Sequence, residues 1–163
     1  MTKVLTHPVG LYFEDLEIGD SAVTMSRTIT ETDIINFMGI SGVFEELHMS
    51  LEYIQKHSIF GKRISPGPLT FIIAEGLAVQ LGLFHRTGMA FLGIEHMTWK
   101  APVYCNDTIH VELEVSAKKE TSKLDRGVVT FRHVVRKQTG EVVMEMEKVR
   151  MIRRKAAGTD AKP

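Results

Sequence analysis

Along the second half of the chain, apolar side chains recur at every other position. Ile109, Val111, Leu113 and Val115 alternate with polar residues over Thr108 to Val115. Val128 to Arg136 alternates less strictly, and Val142 to Ile152 follows a turn at Gln138-Thr139-Gly140. A period of two predicts strands with one face buried, and the short polar turns between these segments predict an antiparallel meander. Ala90 to Trp99, ahead of Pro102, is read as a further strand.

The first half changes period. Val23, Met25, Arg27 and Ile29 share one side of a strand over Ala22 to Ile29. Thr30 then offers a capping hydroxyl, with Asp33 three residues on, and Ile34, Ile35, Phe37 and Met38 follow at helical spacing up to Gly39 and Gly42. Ser50 to His57 fits a second, short helix with Leu51 and Ile54 inward. Leu69 to Phe84, after Pro66-Gly67-Pro68, is the most apolar element; its Leu, Ile and Val residues cover nearly all faces, which predicts burial on most sides. At about 1.5 Å per residue it spans about 24 Å, too short for a bilayer and suited to a domain core. The pattern describes an α+β domain in which antiparallel strands wrap one long helix.

The 163 residues fit one domain able to bury most of its apolar surface. Twenty basic residues balance twenty acidic ones, so bulk charge gives no case for nucleic acid or an anionic membrane as partner. Five basic residues between Lys148 and Lys155 are read as a solvated terminus rather than a phosphate site, and residues 156–163 as a disordered tail. Cys105 is alone, which excludes an intrachain disulfide and favours a bland thiol over a nucleophile. With no signal-like or membrane-length apolar run, the expected location is the cytoplasm.

Several motifs together carry a family resemblance. They are Tyr12-Phe13-Glu14-Asp15-Leu16-Glu17-Ile18-Gly19-Asp20, Thr28 to Ile34, Ser41-Gly42, Leu47-His48, Phe60-Gly61-Lys62-Arg63-Ile64, Gly67-Pro68-Leu69-Thr70 and Ala101 to Thr108. In these the chain resembles the MaoC-like dehydratases, which include the R-specific enoyl-CoA hydratases. The resemblance implies a single hot-dog domain over 1–155, a curved antiparallel β-sheet around a long central helix. It also implies an acyl-CoA thioester as ligand, no cofactor, and a homodimer or higher oligomer, or a pairing with a second hot-dog chain, with active sites at the interface.

Such hydratases add water across the C2–C3 double bond of an acyl thioester. The chemistry needs a base for water, an acid for C2, and donors for the enolate oxygen. In the family an Asp and a His five residues apart share the proton transfers, and a Gly amide at the start of the central helix polarises the carbonyl. By resemblance the His is His48 and the oxyanion Gly is Gly67. The Asp position holds Val43, which cannot exchange a proton, and the family's Asn and Pro beyond it are Glu45 and Glu46. Pro66 stands where a His is common.

The residues themselves leave alternatives. His48 also reads as a loop histidine fixed by a backbone hydrogen bond, and Gly67 as a turn residue before a favoured Pro68. Glu45 lies three residues before His48 and shares its face if the segment is helical; it is otherwise half of a solvated pair with Glu46. Glu75, a carboxylate on an apolar helix, is expected to meet Arg63, Arg86 or a partner chain. His57, His85, His96, His110 and His133 have no ligand spacing, so no metal is expected. Lys62, Arg63 and Ser65 are the substrate-binding candidates, with Lys56 and Arg86 further cations for CoA phosphates. The competing functions are a hydratase or dehydratase, an acyl-CoA thioesterase using Glu45, Glu46 or Glu75, and a non-catalytic thioester-binding subunit.

Overall fold

In the computed structural model, residues 9–155 are described; the tail expected at 156–163 lies outside them. Four α-helices occupy the middle of the chain: α1 (Glu31–Ser41), α2 (Glu46–Met49), α3 (Leu51–His57) and α4 (Gly67–Gln80). Strands β1 (Ser21–Val23) and β2 (Arg27–Thr28) precede them, and β3 (Gly88–Trp99), β4 (Thr108–Glu120), β5 (Arg126–Lys137) and β6 (Val142–Arg153) follow. The antiparallel sheet runs β1-β4-β5-β6-β3, with β2 also on β4. This is the hot-dog fold, with α4 lying in the sheet. No helix among the described residues is long and apolar enough to cross a membrane.

Inward residues of β4 to β6, among them Val111, Leu113, Val135, Met144 and Met146, form one core with Ile73, Ala74, Leu77 and Ala78 of α4. The period-two reading of these strands therefore finds its cause in a single buried face. Two expectations change. The predicted strand over Ala22 to Ile29 is broken into two short pieces, because Thr24 turns its hydroxyl inward to accept from the Val111 amide. The central helix stops at Gln80 rather than Phe84, since Gly82 has φ +71°, where the chain leaves the helix. Nor is α4 enclosed on every side, for Ile72, Gly76 and Val79 form an exposed stripe.

The basic residues from Lys148 onward are not a solvated terminus. Lys148 and Arg150 belong to β6 and point into the fold, where both bind Glu75 of α4. Lys148 is fully buried. Arg154 and Lys155 return to Glu14 and Asp15 near the start of the described chain.

Candidate active site

The segment from α1 to α4 carries the site. Thr30 and Asp33 close a reciprocal cap at the start of α1, and Gly42, at φ 73°, ends it in the left-handed conformation that glycine accepts without strain. The chain then passes through Val43 and Phe44 to Glu45, which caps α2 with its backbone. Arg63 holds this region against α1, pairing with Glu31 and donating to the Met49 carbonyl at 3.3 Å. Downstream, Arg63 to Ser65 is stitched to Val103 to Cys105: the Ser65 amide donates to the Val103 carbonyl at 2.7 Å, and the Cys105 amide to the Arg63 carbonyl at 3.3 Å.

That ladder presents the Ile64 carbonyl to His48. His48 is buried, and its Nδ1 lies 3.2 Å from the Ile64 oxygen. A carbonyl only accepts, so the proton of the neutral ring belongs on Nδ1 and the Nε2 lone pair is left free. Nε2 has no partner among the described residues, yet it is not one of the sealed, unpaired atoms. His133 makes the instructive contrast. Its Nδ1 also faces a carbonyl, that of Phe131 at 3.1 Å, but its Nε2 is sealed without a partner. Burial, reinforced by the charge of Lys148, pushes the His133 ring down to about 3. The two rings share one tautomer and differ at Nε2: it is sealed in His133 and not sealed in His48.

Gly67 opens α4, so its amide has no intrahelical acceptor and stands at the positive end of the helix dipole. It is three residues beyond Ile64, and three residues span at most about 11 Å, so the Gly67 amide and the His48 ring belong to one neighbourhood. A Cβ on Gly67 would meet the Trp99 indole Nε1 at 2.8 Å. Half-exposed Trp99, at the end of β3, therefore roofs the helix start and requires glycine there.

The other candidates separate from this pair. Glu45 is exposed and its carboxylate makes no bond to His48; it borders a shallow surface hollow with Glu46, Tyr53 and His57. Val43 is half-buried. The Ser65 hydroxyl is enclosed, accepting from Thr70 at 3.1 Å and facing the Pro66 carbonyl at 3.3 Å. Lys62 is exposed and forms no ion pair among the described residues.

Glu75 meets neither Arg63 nor Arg86 but Lys148 and Arg150. Burial alone would raise its pKa, yet the bonds and charges of Lys148 and Arg150 outweigh this and hold the carboxyl below its usual range. Its charge is structural, and its partners stand 73 and 75 residues away, beyond any local sequence signal. Sequence spacing also missed the grouping of Glu95, His96 and Glu147, whose ligand atoms lie within 4.8 Å of one another. A bulge between Glu95 and Thr98, with His96 at φ 53°, places that imidazole beside Glu95.

Comparison with known proteins shows the family and the fold. Residues 15–138 match the family described as MaoC like domain. The chain is 32% identical over 141 residues to an (R)-specific enoyl-CoA hydratase of Rhodospirillum rubrum, covering 86% of this chain and 91% of that one. It is 39% identical over 120 residues to Protein MaoC of Klebsiella aerogenes, covering 74% of this chain but only 34% of that protein. Among solved structures, the monoamine oxidase regulatory protein from Archaeoglobus fulgius superposes with a TM-score of 0.86 at 34% identity, over 93% of this chain and all of that one.

Proposed function

The chain belongs to the MaoC-like domain family, and from that premise we propose that it is an (R)-specific enoyl-CoA hydratase, running in reverse as a 3-hydroxyacyl-CoA dehydratase. One observation carries the reading. The Ile64 carbonyl holds the Nδ1 proton of His48 and leaves Nε2 without a partner among the described residues, and Gly67, three residues beyond Ile64, opens the central helix.

In the hydration direction, Nε2 takes a proton from water as the oxygen bonds to C3. The π electrons shift through C2 to the thioester oxygen, where the Gly67 amide and the helix dipole favour the developing charge. The His48 imidazolium then gives its proton to C2, restoring the neutral ring and balancing the step. A lone histidine can do both transfers because they are sequential. Glu45 stands second in this scheme: its carboxylate would have to swing in from solvent to replace the Asp absent at position 43. Lys62 and Arg63 are assigned to the CoA side of the ligand, and Ser65 to shaping the approach to Gly67.

The assembly in this reading is a homodimer, or a pair with a second hot-dog chain, in the cytoplasm. Two features support it. Among the described residues β3 has no neighbour on its outer side and exposes Phe91, Leu92 and Trp99, and the Ile72-Gly76-Val79 stripe of α4 lies bare. A long unpaired edge beside an uncovered helix face favours pairing with another chain.

The test is incubation of the protein with crotonyl-CoA while the enoyl absorbance is followed. Loss of absorbance that disappears in His48→Ala supports the reading. A second reading, a non-catalytic thioester-binding subunit, is favoured by Val43 and by the lack, among the described residues, of a carboxylate bonded to His48; it would show acyl-CoA binding with no turnover.

A further inference from the structure

Two buried hydroxyls stand directly behind the start of the central helix: Ser65 is 6% exposed and Thr70 2%. Thr70 belongs to the first turns of α4, and a threonine inside a helix commonly returns its hydroxyl to the carbonyl four residues back. Here that carbonyl is Pro66. Thr70 instead donates to the Ser65 hydroxyl at 3.1 Å, and Ser65 passes its own proton to the Pro66 oxygen at 3.3 Å. The same oxygen also accepts the Thr70 amide at 3.1 Å. Ser65 is anchored in turn, since its amide donates to the Val103 carbonyl at 2.7 Å.

The Pro66 carbonyl is one half of a planar peptide unit whose other half is the Gly67 N–H. That unit is trans, so its N–H points opposite to its C=O. Two donors that hold the oxygen on the helix side therefore aim the Gly67 amide outward, away from the helix. Pro66 and Pro68 carry no N–H, so the Gly67 proton stands alone between them, and no side chain caps the helix start. Hydrogen bonds at the carbonyl oxygen also draw electron density from the amide nitrogen, and bonded chains polarise one another where water is excluded. We propose that Ser65 and Thr70 are positioning residues, which aim and polarise the Gly67 amide for the thioester oxygen by acting through the Pro66 carbonyl. The proposal rests on Gly67 as the oxyanion donor of the hydratase reading; the hydrogen-bond relay behind it stands apart from that reading.

The carbonyl stretch of bound butyryl-CoA, isotope-labelled at the thioester carbon, tests it. This ligand has no double bond to hydrate, so infrared difference spectra read the donor without turnover. The native protein should move the stretch to lower frequency than in water, and Ser65→Ala should lose at least about half of that shift. Thr70→Val keeps the shape without the hydroxyl and should lose a smaller part, while Thr70→Ser keeps the hydroxyl and should match the native protein. With crotonyl-CoA, kcat of Ser65→Ala should fall roughly tenfold with KM within about twofold, because the donor acts on charge that develops in the transition state. A native-sized shift in both Ser65→Ala and Thr70→Val overturns the proposal and leaves Gly67 as the donor. No shift in the native protein, or no binding of butyryl-CoA, overturns the Gly67 assignment and the relay with it. A shift that depends on Ser65, without crotonyl-CoA hydration, keeps the proposal and ends the hydratase reading.

Discussion

The Ile64 carbonyl and the His48 imidazole are 3.2 Å apart, and that single contact decides which ring nitrogen can act as a base. The contact exists because Arg63 to Ser65 is laddered to Val103 to Cys105, so the orientation of His48 depends on a segment sixteen residues away from it. Removal of the imidazole should therefore cost chemistry more than folding. His48→Gln is expected to lower kcat/KM for crotonyl-CoA hydration by roughly 10²- to 10⁴-fold, the usual share of a general acid–base group. Glu45→Gln, altering an exposed carboxylate without a bond to the ring, is expected to leave kcat/KM within about threefold. A loss as deep as that of His48→Gln would instead make Glu45 the working partner.

Val43 supplies the complementary experiment. It is half-buried five positions before His48, and an Asp there restores a group able to share the proton transfers. Val43→Asp is expected to raise kcat at least about tenfold, with KM little changed, since the gain belongs to the transition state. The initial-rate assay that gives both constants checks it; an unchanged kcat would mean that His48 already works alone or that the site does no hydration.

At Gly67 the constraint is steric. A methyl group would meet the Trp99 ring at 2.8 to 3.3 Å, so Gly67→Ala is expected to destabilise the protein by about 1–3 kcal/mol. Gly67→Ala combined with Trp99→Ala should recover most of that loss, because the obstruction is gone. Urea unfolding followed by circular dichroism measures both, and equal destabilisation in the double variant would place the strain elsewhere.

Glu75 is the counter-charge for a fully buried lysine. Glu75→Gln keeps the shape but leaves Lys148 uncompensated, and a loss of roughly 3–5 kcal/mol is expected. Glu75→Leu with Lys148→Met and Arg150→Met removes all three charges of the cluster and should lie far closer to the native stability. Denaturant midpoints of the three proteins test the ordering.

His133 makes stability depend on pH. Its ordinary value is 6.5 and its folded value about 3, so the unfolded chain takes up a proton below 6.5 that the folded chain refuses. The contribution is fully present above pH 6.5, declines as pH falls towards 3, and is flat below that. Between pH 7 and 5 this amounts to about 2 kcal/mol. Glu75, also depressed in the folded state, acts only below about 4.5, so the window from 6.5 to 5 isolates the histidine. His133→Leu should flatten the dependence of unfolding free energy on pH in that window.

Much of the fold was legible because burial imposes a period. Ile109, Val111, Leu113 and Val115 alternate against one core, and Thr30 with Asp33 announces a helix start locally. The end of α4 was not legible, since Leu81, Leu83 and Phe84 continue the apolar run and only the backbone at Gly82 stops it. Lys148 and Arg150 read as solvent-facing because their carboxylate is far off in the chain; pairing at that range is a tertiary fact. In the candidate site, His48 and Gly67 are assigned by resemblance. The carbonyl that selects the tautomer of His48 belongs to Ile64, a residue whose side chain says nothing of it.

Trp99 is the only tryptophan in the chain, and it lies half-exposed against the first residue of the central helix. The one indole of the chain thus stands beside Gly67. Any acyl thioester seated at Gly67 would change the polarity around that indole, so its emission can report occupancy in the unlabelled protein, whether or not turnover follows.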